Sequence, residues 1–312
     1  MTPGAAEGPS VGLVLGGGLP PEDVPATARL AEELGFREVW YAEDYFFSGG
    51  MTGAAATLGA TTTIPVGLGV VSALVRHPAV LAMEIATLCR LHPGRVRAGI
   101  GLGVIDRLHQ MGLGPRATLR ETEACTGTLR CLLDGGETPA EATLGGITLS
   151  HPPGERVPLY LGAMGPKMLR LAGAIADGTL LSWIKSRNYV RWARGQIAAG
   201  AREAGRAGRP RIVSFAIFSA DSDRQKAKHA VRGAVVRELA RPCSRAEPGR
   251  RSSQSCPSAG STTSRSPEVR TSVPPGSART SRPAPIRLPS SHSLPIAAPS
   301  SSGSRGARCC LA

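Results

Sequence analysis

Strand-like and helix-like segments alternate along the first 240 residues, and this alternation limits the fold more than any single motif does. Apolar or β-branched runs read as strands at 11–15, 38–42, 66–73, 96–102, 158–161, 178–183 and 211–219. Helical periodicity follows each of them, at 22–34, 52–60, 77–91, 117–133, 166–175, 189–204 and 223–239. The punctuation agrees with that reading. Gly35 and Gly135 stand where a helix C-cap needs a residue of positive φ, and Pro78 stands in a first turn, where its missing N–H costs nothing. A hairpin-like insert at 142–150 interrupts the series once. Short links between alternating elements imply parallel strands joined by right-handed crossovers. Seven βα units suit a (β/α)8 TIM barrel that lacks its eighth unit, with an open doubly wound sheet as the alternative. A chain of 312 residues accommodates one such domain of about 250 residues.

Past residue 240 the texture changes. Residues 241–312 hold 18 Ser and 11 Pro among 72 residues, with neither helical nor strand periodicity. Such a segment buries too little apolar surface to offset its chain entropy, so a disordered tail is expected. The domain division is therefore 1–240 for an incomplete barrel and 241–312 for the tail. Ser, Pro, Arg, Ala and Gly dominate the tail and Lys is absent, which is how a GC-rich coding region reads when translated out of frame. A genuine basic interaction tail is the alternative.

Charge follows the same division. Of the net +14, the tail supplies +9 through 11 Arg against Glu247 and Glu268, leaving +5 for the body, an ordinary value for a soluble enzyme. No aromatic residue follows Phe218, so the basic tail lacks the interleaved rings of a nucleic-acid-binding segment. No run of about 18 apolar residues and no leader pattern is present, which points to a cytoplasmic protein without a membrane partner. The seven cysteines form no C-x-x-C pair, so no metal or redox motif is expected. Cys89, Cys125 and Cys131 fall in helix-like stretches and read as inert buried thiols.

In parallel barrels the chemistry sits at the carboxyl ends of the strands. Glu43 and Asp44 follow the second strand, Ser72 ends the third, and Gly101, Leu102 and Gly103 end the fourth. The fifth strand turns into its helix through Gly162, Ala163, Met164, Gly165, Pro166 and Lys167. There the glycines let backbone come close, Pro166 opens the helix, free N–H groups point at an anion, and Lys167 adds charge. Gly16–Gly18 suggest a nucleotide loop, but without Gly-x-Gly-x-x-Gly a Rossmann site is not supported.

Three stretches, in order and at the right junctions, carry a family resemblance. They are Val39-Trp40-Tyr41-Ala42-Glu43-Asp44-Tyr45; Arg76-His77-Pro78 running on to Gly99-Ile100-Gly101-Leu102-Gly103; and Pro158-Leu159-Tyr160-Leu161-Gly162-Ala163-Met164-Gly165-Pro166-Lys167. Over residues 11 to about 240 the chain resembles the luciferase-like family of flavin- and deazaflavin-dependent oxidoreductases, especially methylenetetrahydromethanopterin reductases and other enzymes using coenzyme F420. The resemblance implies hydride transfer between F420 and a small unsaturated organic substrate, with an FMN-dependent monooxygenase as the alternative and an inactive truncated remnant as a third reading. It assigns catalysis to Asp44, with Tyr45 or Asp106 assisting proton transfer. Cofactor binding falls to Ser72, Leu102, Gly103, Gly162, Ala163, Gly165, Pro166 and Lys167. It implies a non-prolyl cis peptide in the third strand, placed here at Val71–Ser72, and subunits that pair as a homodimer in many relatives. Two departures stand out. Relatives often follow the acid with histidine, where this chain has Tyr45. They often follow the G-x-G with an acid, where this chain has Val104 and, nearest by, Asp106. His77 is expected to cap its helix.

Overall fold

The computed structural model describes residues 10–114, 118–139, 145–183 and 186–240. In chain order these form β1 (Leu13–Gly16), α1 (Val24–Glu33), β2 (Val39–Ala42), α2 (Gly50–Ala60), β3 (Val66–Leu68), β4 (Val71–Ser72), α3 (Pro78–Leu91) and β5 (Val96–Gly101). They continue as α4 (Ile105–Gln110), α5 (Thr118–Leu133), β6 (Leu159–Gly162), α6 (Pro166–Ile175), β7 (Gly178–Leu181), α7 (Arg187–Glu203), β8 (Arg211–Ser214) and α8 (Arg224–Ala240). One parallel sheet runs β1-β2-β3-β5-β6-β7-β8, with β4 continuing the line of β3 against β5. The seven expected strand positions are therefore filled, in a parallel sheet.

Period-2 alternation sorts the strand side chains into two layers. Leu13, Val39, Tyr41, Leu159, Leu161 and Leu181 face the helices and join the larger core. Val14, Trp40, Tyr160, Leu180 and Val213 point the other way and, with Phe215, fill the inside of the curl. Trp40 meets Tyr160 edge-on at 5.2 Å between ring centroids and Phe215 at 6.3 Å. Phe215 follows the last strand and Trp40 lies on the second, so the two ends of the sheet come round toward each other.

A buried carboxylate fixes that curl at the amino ends of the strands. Glu38, 3% exposed, accepts from Arg97 on β5 at 2.6 Å and from Arg211 on β8 at 2.9 and 3.1 Å. Three charge-assisted bonds offset the desolvation of the carboxylate. Arg211 also reaches Ser10, ahead of β1, at 3.1 Å. Between β1 and β8, however, no strand intervenes among the described residues, and each of these strands is paired on one side only.

Four expectations need correction. The third strand is not continuous over 66–73. Gly69 N–H bonds Tyr41 carbonyl and pairing resumes only at Val71 opposite Ile100. The cis peptide lies in that break, between Gly69 and Val70, rather than at Val71–Ser72. The short helix α4 was not expected, since six residues with Leu108 alone buried leave no readable periodicity. Between β6 and the last helices, β7 and β8 stop at Leu181 and Ser214, short of 183 and 219. The insert at 142–150 lies partly outside the described residues. Thr138 and Ile147 are joined across it by bonds of 3.0 Å, without forming strands. The tail expected to be disordered, 241–312, lies outside them altogether. Cys89 and Cys125 are buried, and burial pushes both thiols up to about 12. Cys131 is half-buried and donates to Glu137 carbonyl. No helix among the described residues is long and apolar enough to cross a membrane.

Candidate active site

The loop after β2 places three consecutive polar residues in three different environments. The Glu43 side chain is only 6% exposed and turns inward. It accepts from Arg76 Nη1 at 3.0 Å and Nη2 at 2.7 Å, from Ser72 N–H at 3.3 Å and from Gly50 N–H at 3.2 Å. Gly49, the N-cap of α2, has no side chain to cap with, so the Glu43 carboxylate supplies that function at the positive end of the helix. One carboxylate thereby joins β2, β4, α2 and the approach to α3. Glu43 and Arg76 lie within the stretches that carry the family resemblance, but nothing in their local spacing pairs residues 33 apart.

Asp44 is half-buried and forms a backbone bridge with Ser48, which closes a tight loop. No described group bonds its carboxylate. At the loop tip Phe46 adopts φ 70°, rare for a bulky residue. Arg107, at the start of α4, secures this tip. It donates to Tyr45 carbonyl at 2.8 Å and places its guanidinium 5.5 and 5.2 Å from the Phe46 and Phe47 ring centroids. This holding residue was missed because α4 itself was not legible.

Tyr45 turns back into the protein and is 9% exposed. Its ring end lies against Gly103, where φ is +79° and a Cβ would stand 2.2 Å from Tyr45 Oη. The hydroxyl lies close enough to Ser72 Oγ for a weak hydrogen-bonding pull on it, but no described atom makes a well-formed hydrogen bond with it. Burial, reinforced by the Glu43 charge, raises its pKa above 10.0 against the weaker pull of Ser72 and Arg76. Ser72 is 1% exposed and already engaged: Oγ donates to Leu102 carbonyl at 3.1 Å and accepts from Leu74 N–H at 3.1 Å. Tyr45, Ser72, Leu102 and Gly103 are thus brought together at the carboxyl ends of β2, β4 and β5. Val70 supports them from below. A Cβ on Gly101 would stand 2.6 Å from Val70 Cγ2, and one on Gly162 would stand 3.2 Å from Val70 Cγ1.

The turn from β6 into α6 borders the same end of the sheet. Ala163 N–H bonds Leu180 carbonyl at 3.0 Å, and Tyr189 hydroxyl donates to Met164 carbonyl at 2.6 Å. Gly165 is the N-cap and offers no capping side chain, and Pro166 occupies the first turn. The first-turn amides of α6 are therefore available to an anion. Lys167 is exposed in the first turn of α6 and also borders a shallow outer groove with Arg170, Leu171 and Ala174 of α6 and Gly200 and Glu203 of α7. Asp106 is exposed in the first turn of α4, one step outside the Tyr45 cluster. His77 caps α3, its Nδ1 accepting from Ala79 N–H at 3.3 Å. Among the described residues no cluster of three His, Cys, Asp or Glu side chains could hold a metal ion.

An orphaned phenol, a half-buried free carboxylate and strand ends stripped to glycine can receive a planar ring and hydrogen-bond it. Several known proteins are similar to this chain. A 5,10-methylenetetrahydromethanopterin reductase of Methanolobus tindarius is 33% identical over 213 residues, covering 67% of this chain and 65% of the relative. An F420-dependent glucose-6-phosphate dehydrogenase of Microbacterium testaceum is 35% identical over 167 residues, 48% of this chain and 49% of the relative. The chain thus spans less than two thirds of the length of either relative. The solved coenzyme F420-dependent tetrahydromethanopterin reductase of Methanopyrus kandleri superposes with a TM-score of 0.67 at 26% identity, over 74% of this chain and 72% of the other. The sequence profile of luciferase-like monooxygenases matches residues 5–271, and this chain belongs to that family.

Proposed function

We propose that this chain binds a deazaflavin of the F420 type at the carboxyl ends of β2, β4, β5 and β6 and transfers hydride between it and a small unsaturated organic molecule. The observation that carries the reading is the Tyr45 hydroxyl, buried beside Gly103 and with no well-formed hydrogen bond among the described residues. A buried hydroxyl left unbonded costs roughly 1–3 kcal/mol, an expense relieved when a ligand accepts from it. The names of the relatives favour the deazaflavin over FMN.

When bound, the cofactor supplies the hydride. The protein's own residues bind and orient. Tyr45 stays protonated at neutral pH because burial raises its pKa, so it serves as a hydrogen-bond donor and not as a base. Asp44, whose carboxylate is half-buried and bonded by no described group, would accept a hydrogen bond from the bound cofactor or substrate. Ser72 is a positioning residue. Its hydroxyl is spent on Leu102 and Leu74, which sets the strand end and with it Gly103. The first-turn amides of α6, with Gly162, Ala163, Gly165 and Pro166, suit an anionic group, and in this reading the Lys167 ammonium adds positive charge at that turn. Asp106, exposed one turn out, would relay protons from solvent.

Titrating the full chain with oxidised F420, followed by deazaflavin fluorescence, tests the proposal. Saturable binding is expected, weakened about tenfold in Tyr45→Phe through loss of one hydrogen bond in a dry site. Binding of FMN in place of F420 would move the reading to the flavin monooxygenases, and binding of neither would overturn it.

A further inference from the structure

Three loops border the candidate site, after β2, β5 and β6, and each presents large apolar side chains to solvent. Phe46 and Phe47 are 66% and 54% exposed, and Val104 and Met164 are 43% exposed each. Single apolar residues on a surface are ordinary, but several gathered around one mouth mark a place where something apolar is received. The two rings are held in advance. Phe46 takes φ 70°, the bridge between Asp44 and Ser48 closes the loop behind them, and the Arg107 guanidinium lies over both. Side chains fixed beforehand lose little freedom when a ligand covers them. The Met164 backbone is secured by Tyr189, whose hydroxyl donates to its carbonyl at 2.6 Å. Val104 follows Gly103, against which the Tyr45 ring rests.

Charge at this rim decides what the apolar surface receives. Arg107 is spent on the Tyr45 carbonyl and the two rings, and Arg76 on Glu43 and Glu84. His77 Nδ1 accepts from the Ala79 amide and so carries no proton there. Asp44 is half-buried and Asp106 exposed, and no described cation pairs with either carboxylate. An anionic ligand beside Phe46 and Phe47 would meet two unpaired carboxylates and guanidinium groups already engaged, which disfavours it. Lys167 and the first-turn amides of α6 lie on the remaining side and, in the deazaflavin reading, serve the cofactor. We propose that the second ligand of this mouth is an uncharged, largely apolar molecule, an unsaturated ketone with a hydrocarbon or aromatic body, and that Phe46, Phe47, Val104 and Met164 select it. The proposal rests on the deazaflavin reading for the place of the reacting molecule and adds the class of substrate to it.

The test uses the full chain, with and without oxidised F420, and two unreactive ligands of one shape: benzylacetone, which is uncharged, and hydrocinnamate, its carboxylate counterpart. Ligand-observed NMR titration gives both affinities. Saturable binding of benzylacetone is expected, with hydrocinnamate at least about tenfold weaker because it brings a charge to an acidic rim. Phe46→Ser/Phe47→Ser should weaken benzylacetone by at least about tenfold, since the two rings that bury its apolar surface are gone. Met164→Ser, on a different loop, should weaken it by about threefold and reads the same surface if the first variant loses its fold. Deazaflavin fluorescence on the same samples reads the cofactor separately. Loss of F420 binding with benzylacetone still preferred would overturn the deazaflavin reading and support the apolar mouth. Equal affinity for the two ligands, or a preference for hydrocinnamate, would overturn the proposal, as would undiminished benzylacetone binding in both variants. A wild-type dimer in sedimentation that becomes a monomer in Phe46→Ser/Phe47→Ser would overturn it in favour of self-association through these rings.

Discussion

Glu43→Gln keeps the shape of the side chain and changes one acceptor oxygen into a donor. Four donors now converge on that carboxylate: two from Arg76 at 3.0 and 2.7 Å, with Ser72 N–H at 3.3 Å and Gly50 N–H at 3.2 Å. Glutamine can serve the donors on one side only, and its NH2 then opposes those on the other. A bond to a charged group is worth about 1.5–3 kcal/mol. Arg76 keeps Glu84 at 3.3 Å, a more exposed partner that recovers part of the loss. A net cost of about 2–3 kcal/mol follows, and a domain of this size loses about 2–4 °C of melting temperature per kcal/mol, so the midpoint should fall by about 4–12 °C. Differential scanning calorimetry of the full chain measures it. The double variant Glu43→Leu/Arg76→Leu should lose less than Glu43→Leu alone, because it leaves no unpaired buried charge. F420 titration on the same samples reads the site, where a loosened Ser72 should weaken binding. An unchanged melting temperature, or a double variant worse than Glu43→Leu, would refute the view that this carboxylate ties four elements together.

Glu32 gives a pH signature. Desolvation pushes its carboxyl up, but bonds from the Thr63, Ile64 and Thr62 amides outweigh that and hold it at about 2, below the ordinary 4.5. With the folded pKa depressed, its stabilisation is complete above about 4.5 and is lost as pH falls toward 2. Urea midpoints of wild type and Glu32→Gln should converge across that window, and a constant gap would show that the charge contributes nothing. Gly103→Ala forces a Cβ to within 2.2 Å of Tyr45 Oη at a φ of +79°, so it should cost F420 affinity more than thermal stability. Equal affinity measured by titration would remove Gly103 from the site. In native protein Cys89 and Cys125 should resist iodoacetamide while Cys131 is alkylated, as peptide mass mapping can check, since burial holds the first two thiols at about 12.

Local pattern carried the strands and most helices, because period 2 and period 3.6 are properties of neighbouring residues. It could not carry the break in the third strand. Val70 and Val71 are both β-branched, and what separates them is Gly69 bonding to Tyr41 while Val70 turns in toward Gly101 and Gly162. The site was legible to the same extent. Ser72, Leu102 and Gly103 could be read because strand ends are where a parallel sheet concentrates its chemistry, and Tyr45 came only through the family resemblance. Glu43–Arg76 and Arg107–Tyr45 could not, since these pairings are 33 and 62 residues apart. Lys167 shows the limit within a single motif. Its position at the opening of α6 follows from sequence, but that it also borders a groove against α7 depends on the packing of two helices and does not.

The curl of the sheet illustrates the same divide at larger scale. Counting units predicts seven strands and a gap, and a sheet with two free edges tends to relax toward an open twist. Instead Glu38 gathers Arg97 and Arg211 from 59 and 173 residues away, and Phe215 packs on Trp40 inside the curve. Among the described residues, then, the bend does not come from closure of the hydrogen-bonded ladder. A buried ion-pair fork at the amino ends and an aromatic cluster within set the curvature. That same curvature holds the carboxyl ends of β2, β4, β5 and β6 around one mouth, so the geometry of the candidate site rests on contacts made on the far side of the sheet.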